Sequence, residues 1–434
     1  MRSTIELAKS NYRRTYNGYR AIGFDEQQEL GSIWRENVKQ FLVGLIENQE
    51  IGLQQIMGEL NKRAFYDFTV TTPLLKPSLR WYQTHIKLKY DITLETMPQQ
   101  VCESKHLPDE RCLDLSGRRL SSDFLYRLSQ VMYLRGKNCL SNESRILEIG
   151  AGYGALARTI LLSTENIRYV LLDIPETLFF AEIFLGAEFP EKKFHMIGAD
   201  STPESIEEAD ILLVPTGFRN MIDHQRFDLV INTNSLGEMP TAVSSDLIEW
   251  LNVTVKPVRM YSLNRFLNRV SAKEFVHRAE AVGCNYLWGP KWKIVDWEVN
   301  PHFEQCPFYV PTVTRNLCLI MEHTEPTSKS NLNEIAGILD DIELQDWFRK
   351  PYWVNYVLKP HGTALPMMSK INPDLTPDMT MHGTLFSLWN ILRTDGITSD
   401  RGRALELFVA YLQYLGGDTE PFEDILCFGS DVLE

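Results

Sequence analysis

The sequence predicts an α/β protein: an open, mostly parallel sheet of seven strands, with helical additions before and after it in the chain. Three observations carry this. From residue 144, short β-rich runs alternate with helical segments (RILEIG, ALARTILL, YVLLDI, PETLFFAEIFLGAEF), the pattern of a parallel sheet with helices on its faces. The first run passes directly into a glycine-rich turn and then a helix. The last two runs, WKIVDWEV at 292–299 and NLCLIMEHT at 316–324, are joined by a loop holding Pro301, Pro307 and Pro311 that is too short for a crossover helix, so they pair antiparallel at the sheet edge.

The elements follow in order. From Asp25 to about Phe65, apolar residues recur at three- and four-residue steps, which predicts one or two amphipathic helices. Pro73, Pro77, Pro98 and Pro108 then punctuate an irregular stretch. Ser121, Ser122 and Asp123 can cap a helix over FLYRLSQVMYLRG, ending at Gly136. ILLVP at 211–215 is the expected third strand, with FHMIGAD at 194–200 as an eighth strand or its replacement, and FDLVINT and VRMYSLN are strands four and five. The 434 residues exceed the roughly 250–300 at which a single core stops growing. They divide into a mainly helical region 1–140 on the acceptor side or for oligomerisation, a sheet domain 141–324, and a mainly helical extension 325–434 that includes MHGTLFSLWNILRTDG.

Composition excludes several classes. A hydrophobic fraction of 44% with 23% charged residues is that of a globular protein, not a disordered chain or a rod. Lys and Arg number 44 against 57 Asp and Glu, a formal net charge of −13, so a nucleic-acid partner is disfavoured. Seven cysteines without a CxxC pair point to reduced thiols and a cytoplasmic location. The most apolar stretch, 178–189, is broken by Glu182 and Glu188 and is shorter than the ~18 residues a membrane span needs. The first residues lack the apolar core of a signal peptide. No spacing of His, Cys and carboxylates indicates a metal.

The chemistry gathers at Glu148-Ile149-Gly150-Ala151-Gly152-Tyr153-Gly154. Alternate glycines let the backbone amides approach a ligand, and the helix that follows adds partial positive charge. Asp173 closes the second strand, where a carboxylate can accept hydrogen bonds from ribose hydroxyls. Ile174, Thr216, Gly217, Asn232 and Thr233 stand at the carboxyl ends of neighbouring strands and complete a candidate cofactor site. Gly150, Gly152 and Ala155 also satisfy a dinucleotide fingerprint, so NAD competes with S-adenosylmethionine. Glu148 favours the latter, because a carboxylate there compensates an ammonium and a sulfonium but repels a pyrophosphate. A purely structural glycine turn is the remaining alternative.

With these residues in place, the chain resembles the class I S-adenosylmethionine-dependent methyltransferases, which have a Rossmann-like sheet, and among them the bacterial sugar O-methyltransferases. LEIGAGYGALA (147–157), YVLLDIPET (169–177) and FDLVINTNSLGEM (227–239) carry the resemblance, the sugar-specific part resting on DIPET and NTNSLGEM. It implies methyl transfer to a hydroxyl of a saccharide acceptor, as in polysaccharide biosynthesis. Such a reaction needs positioning and a base. Glu238 is the first candidate base and His302 the second. Asn234, Ser235, Tyr261 and Asn264 are candidates for holding the acceptor, against a purely structural role in their turns. Trp81, Tyr82, Trp347, Trp353 and Tyr356 could stack on sugar rings, although their spacing is also that of core residues. The alternatives are a methyltransferase for another small molecule and a cofactor-binding scaffold without turnover. The sequence leaves open whether the chain forms a homo-oligomer.

Overall fold

The structure is a computed structural model that describes residues 2–24, 42, 44, 52–63, 79, 82–83, 86–87, 90–115, 117–236, 239, 241–265, 292–299 and 316–323. Two units divide them: 2–235 with 253–260, and 236–252 with the described residues from 261 onward.

The first unit begins with α1 (Arg2–Ile22), where Ile5, Ala8, Tyr12, Tyr16 and Tyr19 recur at three- and four-residue steps and are all buried. The apolar periodicity of the sequence points to helices only from Asp25 onward, so this one is not expected from it. Helix α2 (Leu53–Arg63) falls inside the predicted helical stretch, most of which lies outside the described residues. A short hairpin, β1 (Leu113–Leu115) and β2 (Arg118–Leu120), precedes α3 (Ser122–Gly136). The predicted cap on α3 is present: Ser121 Oγ accepts the Phe124 N–H at 3.0 Å.

Then come β3 (Arg145–Ile149), α4 (Ala155–Ser163), β4 (Arg168–Asp173), α5 (Pro175–Glu188), β5 (Phe194–Met196), α6 (Pro203–Glu207), β6 (Ile211–Pro215) and β7 (Leu229–Thr233). The strands are parallel in the order β5-β6-β4-β3-β7, with Glu148 in register with Leu171 on one side and Ile231 on the other. ILLVP takes the place beside β4, as expected from its apolar run, and every residue of it is buried. Phe194–Met196 adds an edge strand beyond it, so eight strands are assigned to the sheet instead of seven. From β3 the chain winds to one side through β4, then returns to place β7 on the other side. The carboxyl ends of β3 and β7 therefore form a topological switch point, where ligands bind in open α/β sheets.

Helix α5 carries apolar residues on every face and is buried along residues 175–185, Glu176 and Glu182 included. One side packs on the sheet, and α1 covers another. Tyr12 meets Phe179 edge-on at 5.9 Å, Asn11 Nδ2 donates to Glu182 Oε1 at 2.6 Å, and the Tyr16 hydroxyl donates to Glu176. Phe179, Phe180 and Phe184 are almost fully enclosed, each worth ~1.5–3 kcal/mol of apolar burial.

The second unit contains α7 (Thr241–Trp250), most of β8 (Arg259–Arg265), β9 (Trp292–Val299) and β10 (Asn316–His323). The start of β8 belongs to the first unit, where the Val258 and Arg259 N–H groups donate to the carbonyls of Phe227 and Asp228. β9 and β10 form the predicted antiparallel pair, in the order β8-β10-β9, with a register shift between Ile320 and Met321. Trp292 is buried there, its indole N–H donating to Asn252 Oδ1 and its ring set edge-on to His323 at 5.1 Å. Residues 325–434 lie outside the described residues.

Candidate functional site

The turn after β3 passes through Gly150, Gly152 and Gly154 at φ of 70°, 57° and 88°. At Gly150 space excludes a side chain as well, since a Cβ would lie 2.1 Å from Ser235 Oγ. The loop after β7 is folded onto this turn. Asn232 Nδ2 donates to the Ile149 carbonyl at 2.8 Å and to Ser235 Oγ at 2.5 Å, and Ser235 Oγ reaches the same carbonyl at 3.3 Å. Asn232, a candidate ligand contact in the sequence, is thus fully buried and commits its amide to the strand end.

Asp173 ties the turn to β4. Its Oδ2 accepts the Gly152 N–H at 2.8 Å and its Oδ1 accepts the Ile174 N–H at 2.7 Å. A carboxylate has about four lone-pair sites, so this leaves acceptor capacity for a ligand. Burial pushes the Asp173 pKa up to about 6, against the lowering effect of hydrogen bonds from Thr177, Ile174 and Gly152.

Glu148 lies two residues before the turn and is buried, with Tyr169 donating its hydroxyl to Oε2 at 2.8 Å. Burial pushes its pKa up to about 8, while the Tyr169 hydrogen bond and the Arg127 guanidinium act in the other direction. Arg127 stands with Asp123 on one face of α3, Nε to Oδ1 3.5 Å apart. The hydroxyl of Tyr153 donates to Asp123 Oδ2 at 3.3 Å, and its ring packs on Phe184 at 5.2 Å. Tyr153 therefore faces the helical layer. The sequence pointed to Asp123 only as a cap and not to Arg127, although their spacing of four on a capped helix was a signal.

After β6, the chain enters a tight turn at Thr216–Ile222, and the Gly217 N–H donates to the Tyr19 hydroxyl at 3.0 Å. Ile174, Ala151 and Thr233 are buried at the ends of their strands, and Asn234 is half-buried at φ 57°. Tyr261 and Asn264, candidates for holding the acceptor, lie within strand five, as the VRMYSLN run expects. β8 runs to Arg265 and encloses both. Tyr261 is fully buried in the second unit, with its hydroxyl 3.7 Å from Cys318 Sγ, and Asn264 Nδ2 donates to Ser262 Oγ at 2.9 Å. Glu238 and His302 lie outside the described residues, as do Trp81, Trp347, Trp353 and Tyr356. Tyr82 is buried. Among the described residues, no group of His, Cys, Asp and Glu could hold a metal ion, and no helix is long and apolar enough to cross a membrane.

No protein-family model matches the chain, and no curated protein sequence does. Among solved structures, it is similar to the magnesium protoporphyrin IX methyltransferase ChlM of Synechocystis PCC 6803 with bound SAM, at 14% identity over 46% of this chain and 78% of that one, TM-score 0.29. It is also similar to the mitomycin 7-O-methyltransferase MmcR (11% identity, 47% and 57% covered, TM-score 0.25) and to the CurJ carbon methyltransferase (12%, 47% and 55%, TM-score 0.29). At these values the likeness assigns no chemistry. The Rossmann-like α/β fold stands on the strand order and the switch point of the chain itself.

Proposed function

We propose that the chain is an S-adenosylmethionine-dependent O-methyltransferase whose acceptor is a hydroxyl of a sugar or saccharide precursor. The observation that carries the cofactor is the glycine turn hydrogen-bonded to Asp173, with the buried Glu148 carboxyl just before it. The residues fit the group. The turn can have no Cβ at Gly150, Asp173 retains acceptor capacity for the ribose, and Glu148 becomes a counter-charge once a cation stands near it. NAD fits less well, since its pyrophosphate at the glycine turn would gain no counter-charge from the Glu148 carboxyl, whereas a cation there does.

When bound, S-adenosylmethionine supplies an electrophilic methyl group on a sulfonium. The protein has to place the acceptor oxygen in line with it and take up the proton that oxygen loses. Asn234 and Ser235, after β7, are the proposed acceptor-holding residues, and Glu238 or His302 is the proposed base. The saccharide acceptor is supported by the DIPET and NTNSLGEM segments, the first of which contains Asp173.

Thermal unfolding with S-adenosylmethionine, S-adenosylhomocysteine and NAD tests the cofactor, since a ligand bound only by the native state raises the midpoint. Formation of S-adenosylhomocysteine over a panel of nucleotide sugars tests the acceptor. Stabilisation by NAD alone would overturn the cofactor reading. Turnover on non-sugar hydroxyl compounds alone would overturn the acceptor.

A further inference from the structure

We infer that helix α1 buttresses the proposed cofactor site through Tyr19, a positioning residue that fixes the Thr216–Gly217 turn on the purine side of the ligand. The inference rests on the cofactor reading above. β4 lies between β3 and β6, so a ligand that runs from the glycine turn on β3 across a ribose at Asp173 would have its purine over the end of β6. That end is the Thr216–Gly217 turn.

The contact between α1 and this turn is built from both sides. Tyr19 is 1% exposed, and its hydroxyl accepts the Gly217 N–H at 3.0 Å, satisfying a backbone donor 198 residues away. A Cβ on Gly217 would come within 2.7 Å of the Tyr19 ring and 3.0 Å of the Phe24 ring. In the opposite direction, a Cβ on Gly18 would come within 2.8 Å of the Phe218 ring. Neither glycine has a positive φ, so each is needed for space and not for backbone conformation. A helix that only covered α5 would need neither. Phe24 at 4.6 Å and Phe218 at 5.2 Å hold the Tyr19 ring in place. One turn earlier, Tyr16 gives its hydroxyl to Glu176, three residues past Asp173. A single helix thus reaches the ends of both β4 and β6.

The test is calorimetric titration of the full-length chain with S-adenosylhomocysteine and with S-inosylhomocysteine, whose purine differs at C6. Tyr19→Phe keeps the ring and removes the acceptor for Gly217, so the turn is no longer held. S-adenosylhomocysteine affinity should fall about tenfold, and the preference for adenine over hypoxanthine should shrink toward one. Gly217→Ala should do the same. Asn11→Ala loosens α1 on α5 away from the turn and serves as the control, lowering the melting temperature while leaving the preference intact. An unchanged preference in both Tyr19→Phe and Gly217→Ala overturns the inference alone. So does an equal loss in Asn11→Ala. Absence of S-adenosylhomocysteine binding by the unaltered chain overturns the cofactor reading and this inference together.

Discussion

Replacing Glu148 with Gln should stabilise the protein at neutral pH and flatten its pH dependence. Burial raises the Glu148 pKa from its ordinary value of 4.5 to about 8. The folded state therefore holds this proton more tightly than the unfolded chain does. The stability it contributes is fully present below about pH 4.5 and is lost as pH rises through about 8. Within that window the loss is about 1.4 kcal/mol per pH unit, so between pH 5.5 and 7.5 the unaltered chain should lose on the order of 3 kcal/mol through this group. Gln keeps an acceptor for the Tyr169 hydroxyl and cannot ionise. The assay is urea unfolding at half-unit pH steps, comparing the two proteins at each pH. Other buried acids titrate in both and cancel in the difference. A chain of two units can unfold in more than one step, and the relevant transition is the one the substitution displaces. Parallel stability curves for the two proteins would refute the argument, as would a variant destabilised at every pH.

Two further predictions concern the cofactor and the base. Asp173→Ala removes the acceptor for the Gly152 N–H as well as the ribose contact, so the rise in melting temperature with S-adenosylhomocysteine should disappear; an unchanged dissociation constant in a folded variant counts against the site. Glu238→Gln should lower turnover by about 10² to 10⁴ while S-adenosylhomocysteine still binds, and His302→Ala should act on acceptor KM; the reverse pattern in steady-state kinetics exchanges their roles.

The sheet was legible because each signal is local. Alternation of β-rich and helical runs, the Ser121 cap and the antiparallel pairing of the last two strands need no knowledge of distant residues to predict, and each appears as expected. Helix α1 was not read, because its buried stripe is largely tyrosine and the first 20 residues carry five basic side chains. The clue lay elsewhere: PETLFFAEIFLGAEF carries apolar residues on every face, so a helix on the face of a sheet with that composition needs a second covering layer. A side chain that serves a distant backbone group is harder to read from local sequence. Asn232 looks like a ligand contact until the Ile149 carbonyl is brought 2.8 Å from its amide. β8 ends one residue beyond the VRMYSLN run, whereas the burial of Tyr261 and Asn264 within it depends on neighbouring elements that local sequence does not show.

The two carboxyl groups of the glycine turn are raised to different levels, and this gives the proposed site different responses to substrate and product. With Asp173 near 6 and Glu148 near 8, a solution at pH 7 leaves Asp173 ionised and Glu148 about nine-tenths protonated. Asp173 is then ready to accept ribose hydroxyls, while Glu148 is neutral until a positive charge arrives. The sulfonium of S-adenosylmethionine would favour the ionised form, so its binding should expel a proton. S-adenosylhomocysteine has the same ammonium group but no sulfonium, so it should expel less. The difference between the two ligands isolates the sulfonium, since everything else they carry cancels. Titration calorimetry at pH 7 in two buffers of different ionisation heat reads it directly, with an expected excess of up to about 0.9 proton for S-adenosylmethionine. The excess should vanish in Glu148→Gln. Equal proton release by both ligands, or an excess that survives in that variant, would mean that Glu148 does not sense the sulfonium.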